Sequence, residues 1–200
     1  VEGIQDKCAA ALAADAYLAT NLEQIQRSAA EAMTVMRDTL FHLRPIHLRP
    51  VLLADCLAEA MEETQLPAAV RVETVGLESL TPVHAGPRRL SLVFVNLLEN
   101  AATAMEGAGL VTVRGAVHGA WIEVQVSDTG PGIAPALHER IFDFDFSGRR
   151  VHPGKLGFGL WWVKTLMARF GGSVAVASDG QHGATFTLRL PAAAGGSEGN

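Results

Sequence analysis

Leu90 to Met105 reads LSLVFVNLLENAATAM, with Pro87 just ahead of it. At about 100° per residue, Leu90, Phe94, Leu97, Ala101 and Met105 share one face, so the spacing predicts a helix over Pro87–Met105 with a buried apolar stripe. Proline suits the first turn, where backbone amides have no intrahelical partner. Asn96 and Asn100, four apart, fall together on roughly the opposite side, with Thr103 nearby. Such a pair fits a solvated polar face. The other reading is two amide oxygens meeting a hard cation such as Mg²⁺, which keeps several waters and takes few protein ligands.

On either side of this helix the apolar residues alternate. Strands are expected at Val70–Val75, Val111–Val117, Trp121–Ser127, Ser173–Ala177 and Thr185–Leu190, and further helices at Val51–Thr64 and from about Leu160 to Phe170. Strands with one apolar face need that face covered. Three helices can cover it, which predicts an α+β fold, a two-layer α/β sandwich.

Towards the N-terminus the pattern changes. Leu18, Leu22, Ile25, Ala29, Ala32, Met36, Leu40 and Leu43 recur at helical steps and predict one long helix with a narrow stripe for a partner helix. Pro45 and Pro50, in HLRPIHLRP, end it and mark a linker. The expected organisation is a helical segment and linker over 1–47, a main domain over 48–191 and a disordered tail over 192–200, AAAGGSEGN.

The bulk composition removes several classes of function. A net charge of −5 with no basic tract leaves no electrostatic footprint for nucleic acid or an anionic membrane. No apolar run is long enough to span a bilayer, and no signal-peptide pattern opens the chain. Cys8 and Cys56 have no metal-ligand spacing, and a reduced, cytoplasmic setting is the simplest expectation.

Val126 to Ile133 reads VSDTGPGI. Asp128 falls where a strand ends, and Gly130 and Gly132 let another surface approach the backbone. A carboxylate there can accept a hydrogen bond from the exocyclic amine of adenine and would repel the carbonyl of guanine; the same residues also make a plain turn. In Gly154 to Leu166, GKLGFGLWWVKTL, Gly157 and Gly159 lead into a helix, whose unpaired amides and dipole attract phosphate. Neither GxxxxGK[ST] nor the dinucleotide fingerprint is present, so phosphate binding would need a different architecture. Residues 143–156, with Gly148, Arg149, Arg150, Pro153, Gly154 and Lys155, suit either a mobile cationic lid or a solvated loop. Trp161 and Trp162 are expected in packing roles.

In order, NLLENA, DTGPGI, IFDFDF, GKLGFGL and GATFTL resemble the N, G1, F, G2 and G3 boxes of histidine kinases, in the gyrase, Hsp90 and MutL superfamily of ATP-binding proteins. The resemblance covers about residues 86–191. It implies a Bergerat-type fold with a mixed sheet, and ATP and Mg²⁺ as cofactors. It implies that Asn100 binds Mg²⁺, that Asn96 approaches the phosphates, and that Asp128 reads adenine within a turn containing Gly130, Gly132 and Ile133. The backbone of Gly157, Phe158, Gly159 and Leu160 would cradle phosphate, with Lys155 close by. Ala184 stands where related sequences often carry Thr, leaving Thr185 as an adenine contact.

The implied activity is transfer of the ATP γ-phosphoryl group to a histidine and thence to an aspartate of a response-regulator receiver domain. The N-terminal helices would pair two chains into a homodimer. Among seven histidines, only His138 precedes an acidic residue, and it lies inside the ATP-binding region, so the acceptor is expected upstream of this chain. His42 and His47 are each followed by Leu. The F box, FDFDFSGRR, is more acidic than usual. Two other readings exist: a non-catalytic nucleotide-sensing module, and an ATP-hydrolysing clamp of the gyrase or MutL kind. A clamp would carry a water-activating Glu where this chain has Asn96, leaving Glu99 as the fallback base.

Overall fold

The computed structural model describes Asn21, Gln24, Ile25 and residues 45–144 and 158–193. The chain divides into two compact units, Val1–Pro45 and Ile46–Asn200. In the first, Asn21, Gln24 and Ile25 are helical; the rest of the expected helix over 18–43, with Cys8 and His42, lies outside the described residues.

The second unit runs β1 (Arg49–Val51), α1 (Leu53–Glu63), β2 (Ala69–Val75), β3 (Val83–Ala85), α2 (Pro87–Ala104), β4 (Ala108–His118), β5 (Trp121–Asp128), α3 (Gly159–Arg169), β6 (Ser173–Ala177) and β7 (Thr185–Pro191). Two short 3-10 turns, Pro135–Leu137 and Arg140–Phe142, follow β5. Five strands form one sheet in the order β2-β4-β5-β7-β6. β2 and β4 are parallel, and the other neighbours antiparallel. The sheet is therefore mixed, because the connection from β2 to β4 carries α2 and returns the chain in the same direction. Three helices and a mixed sheet match the expected α+β sandwich.

Period-two alternation decides which face is covered. Val111, Val113, Ile122, Val124, Val126, Phe186, Leu188 and Leu190 are all buried, whereas Arg114 and Arg189 on the other face are exposed. α2 supplies the centre of the opposing layer, packing against α1, α3, β4 and β5. Its expected stripe of Leu90, Phe94, Leu97, Ala101 and Met105 is buried throughout. At its start the Gly86 carbonyl accepts the amides of Arg89 and Leu90 at 3.0 and 2.9 Å, and Pro87 needs no partner.

Two elements depart from the sequence expectation. Val51 opens no helix: it pairs in β1 with Val83 of β3, Arg49 pairs with Ala85, and α1 starts at Leu53. Strands of three residues are too short to show a periodic pattern. The chain also stays ordered past 191, since Ala192 bridges to Val83 and the Ala193 amide donates to the Pro82 carbonyl at 2.8 Å. Residues 194–200 lie outside the described residues.

Candidate functional site

The polar stripe of α2 is no solvated face: Asn96 and Asn100 are half-buried. Asn96 Nδ2 donates to the Leu92 carbonyl at 2.8 Å, which fixes the direction of its oxygen. That oxygen lies against the first residue of α3, where a methyl group on Gly159 would come within 2.6 Å of Asn96 Oδ1. The amides opening α3 thus lie beside a fixed carboxamide, at the positive end of the helix dipole. One turn along α2, Asn100 Nδ2 is buried with no hydrogen-bond partner. Leaving such a group unmet costs about 1–3 kcal/mol, so the position suits a polar ligand.

The second part of the site lies where β5 ends. The Asp128 amide donates to the Ala184 carbonyl at 2.9 Å. Asp128 Oδ1 accepts the amides of Gly130 at 2.8 Å and Ala184 at 3.3 Å. Burial pushes the Asp128 carboxyl above its usual range, and the two backbone donors only partly oppose this. Gly183 has φ +68°, and a methyl group there would overlap the Asp128 carbonyl, so glycine is required on both counts. The Gly183 amide donates to the Gly130 carbonyl at 2.7 Å, closing the loop 178–184 onto the DTGPGI turn. Ile133, half-buried, donates its amide to Ser178 Oγ at 2.9 Å and accepts His138 Nε2 at its carbonyl at 3.0 Å.

Not every expected site residue arrives here. Thr185 pairs in register with Ser127, and their hydroxyls meet at 2.9 Å. Both alternate with the buried Val126 and Phe186, so they occupy the uncovered face of the sheet. The residue beside the Asp128 carboxylate is Ala184, and Thr185 is displaced by the strand's period of two. Glu99 is exposed and lines a groove with Thr64 to Pro67 and Glu106, on the α1 side of α2. The structure does not bring it together with Asn96 and Gly159.

Lys155 and Gly157 lie outside the described residues, as does most of the expected lid. Phe158 and Leu160 are half-buried at the start of α3. The Phe158 carbonyl accepts the Trp162 amide at 2.9 Å, and its ring stacks on Phe144 at 4.6 Å between centroids. Trp161 meets Phe144 edge-on at 5.1 Å, and Trp162 is buried, so both indoles pack as expected. Ser178, His138 and Gly183 were not among the expected site residues. Only Gly183, first letter of GATFTL and placed just before a strand, carried a local signal.

The family model described as "Histidine kinase-, DNA gyrase B-, and HSP90-like ATPase" matches residues 85–194, more than half of the chain. The chain belongs to this family. It is 26% identical over 174 residues to the sensor histidine kinase ZraS of Escherichia coli K12, covering 87% of this chain and 36% of that protein. It is 32% identical over 158 residues to the adaptive-response sensory kinase SasA of Synechococcus sp. CC9311, covering 77% of this chain and 40% of that one. The chain therefore spans well under half the length of these curated relatives. Among solved structures, a mycobacterial sensor histidine kinase, MprB, superposes with a TM-score of 0.61 at 25% identity, over 72% of this chain and 97% of that one. Full-length ShkA in complex with AMPPNP gives 0.61 and 25% identity, over 88% of this chain and 40% of that chain.

Proposed function

We propose that the chain is the ATP-binding catalytic part of a two-component sensor histidine kinase. It holds ATP with the base at Asp128 and the phosphates towards the start of α3. It transfers the γ-phosphoryl group to a histidine supplied by another segment, from which the group passes to an aspartate of a response-regulator receiver domain. The observation that carries this reading is the pair on α2: a fixed Asn96 oxygen against Gly159, and a buried, unpartnered Asn100 amide beside it.

Each residue has a definite task. Asp128, whose two backbone bonds both fall on Oδ1, offers Oδ2 to the exocyclic amine of adenine and repels the guanine carbonyl. The amides opening α3 stabilise phosphate charge. Among the described residues no cluster of three or more His, Cys, Asp or Glu side chains could hold a metal alone. The Asn100 carboxamide fits Mg²⁺ as a single oxygen ligand alongside phosphate and water. The ion, when bound, would neutralise charge on the phosphates, and the protein's share of catalysis is positioning.

Asn96 and Glu99 argue against the ATP-hydrolysing clamp. The first cannot activate water, and the second faces the α1 groove. Pairing of two chains through the stripe at 18–43 and a cytoplasmic location, where ATP is available, belong to the same proposal. No helix among the described residues is long and apolar enough to cross a membrane.

The test is labelling with radioactive γ-phosphate. The chain alone should bind Mg·ATP without acquiring acid-labile phosphate. A separately supplied helix carrying a histidine followed by an acidic residue should become labelled. Acid-labile phosphate on His42, His47 or His138 would overturn the placement of the acceptor.

A further inference from the structure

Ile133 closes the DTGPGI turn, and its peptide group is held on both sides by side chains from outside that turn. Ser178 Oγ accepts the Ile133 amide at 2.9 Å and donates to the Gly183 carbonyl at 2.6 Å. It also accepts the Gly180 amide at 3.2 Å. On the other side, His138 Nε2 donates to the Ile133 carbonyl at 3.0 Å. The two loops are in direct contact, since a methyl group on Gly132, at φ +84°, would sit 2.8 Å from both Ser178 Oγ and the Gln181 amide nitrogen.

The loop 178–184 has a separate source of shape. Asp179 Oδ1 accepts the amides of Gln181 and His182, each at 2.8 Å, and Oδ2 meets His182 Nδ1 at 2.7 Å. The Ser178 hydroxyl is therefore free to serve the neighbouring turn as well as its own. Main-chain bonds between Asp128 and Ala184 and between Gly183 and Gly130 fix the first half of DTGPGI. The second half, at Ile133, depends on the two side chains.

We propose that Ser178 and His138 are positioning residues for the base end of the nucleotide site. They hold Ile133 so that the turn from Asp128 keeps the shape that receives a purine, and neither touches the nucleotide. The proposal rests on the nucleotide-binding reading above and assigns specificity to residues outside the five sequence boxes.

The test measures affinities of the full chain for ATP, GTP and magnesium tripolyphosphate, which has phosphates and no base. Ser178→Ala and His138→Ala should each weaken ATP about tenfold, the scale of a lost hydrogen bond that leaves a half-buried partner unmet. Both should narrow the preference for ATP over GTP and leave tripolyphosphate unchanged. His138→Gln, whose amide can donate to the same carbonyl, should recover most of the loss. In Ser178→Ala the Ile133 amide should exchange faster with solvent. Unchanged ATP and GTP affinities in either folded alanine variant would overturn the proposal, as would equal losses for tripolyphosphate. A wild-type chain that binds tripolyphosphate with no preference for ATP would instead overturn the assignment of the base end itself.

Discussion

Around Asp128 the protein fixes its own turn with hydrogen bonds and leaves Oδ2 open, while at Asn100 it leaves a buried donor unmet. Asp128 Oδ1 takes two backbone amides, and Ile133 is bonded through both its amide and its carbonyl. Asn100 Nδ2 is buried without a partner. A site closed by its own bonds is shaped before a ligand arrives, so it can discriminate between ligands of similar size. A buried amide with no partner is costly until something supplies one. On the proposed reading the two ends divide the work: one selects the base, and the other is completed by the phosphates that the base brings with it.

The sharpest way to break this division is at Asn100. Asn100→Ala should reduce phosphoryl transfer to a supplied acceptor helix by about 10²–10³-fold, the scale of losing one electrostatic stabiliser. The same variant should melt no lower than wild type, because it deletes an unsatisfied buried group rather than a bond. Loss of activity together with loss of stability would mean that Asn100 serves the fold.

Gly183 tests the opposite end. Gly183→Ala forces a side chain into a left-handed backbone position and onto the Asp128 carbonyl. It should destabilise the unit by about 2–3 kcal/mol, measured by denaturant unfolding, and weaken ATP at the same time. Here function and stability should fall together, the reverse of Asn100.

Asp128→Asn should cost about 1–3 kcal/mol of ATP affinity and narrow the preference over GTP, read by calorimetry. Its effect on the fold should have the other sign. Burial raises the Asp128 pKa in the folded state, so the folded chain holds this proton more tightly than the unfolded one. The associated stability is present below the unfolded pKa and is lost as pH rises through the folded one. At neutral pH the amide variant should therefore melt at or above the wild-type temperature. A clearly lower melting temperature would show that the carboxylate is needed structurally.

The smallest effect concerns pH. As pH falls into the acidic range, Asp128 protonates and loses the charge that strengthens the bond from the adenine amine to Oδ2. ATP affinity relative to the Asp128→Asn variant should decline there, starting above the ordinary aspartate range because burial raises the pKa. A ratio that stays flat across that range would detach Asp128 from the base.

Much of this was legible in the sequence, for identifiable reasons. α2 spans enough turns for its stripe from Leu90 to Met105 to show, and the spacing put Asn96 and Asn100 on one side of it, although that pair alone did not separate a solvated face from a ligand site. The end of β5 at Asp128 was visible as turn chemistry. β1 and β3 were not, since three residues cannot display a period. Thr185, expected as an adenine contact, stands one step from Ala184, and that step in a strand exchanges the covered face for the open one. Ser178 and His138 were illegible for a different reason. The bond from Ser178 to Ile133 crosses 45 positions of sequence, and no local pattern marks one serine among turn residues as the one that crosses.

The proposed function requires a base-selective end and an end completed by magnesium and phosphate. Calorimetric titration of the chain with ATP and with GTP, each with and without Mg²⁺, tests it most directly. ATP should bind more tightly when Mg²⁺ is present, GTP at least about tenfold more weakly, and Asn100→Ala should remove the magnesium effect while keeping the ATP preference. Equal affinity for the two nucleotides, or ATP binding indifferent to Mg²⁺, would contradict it.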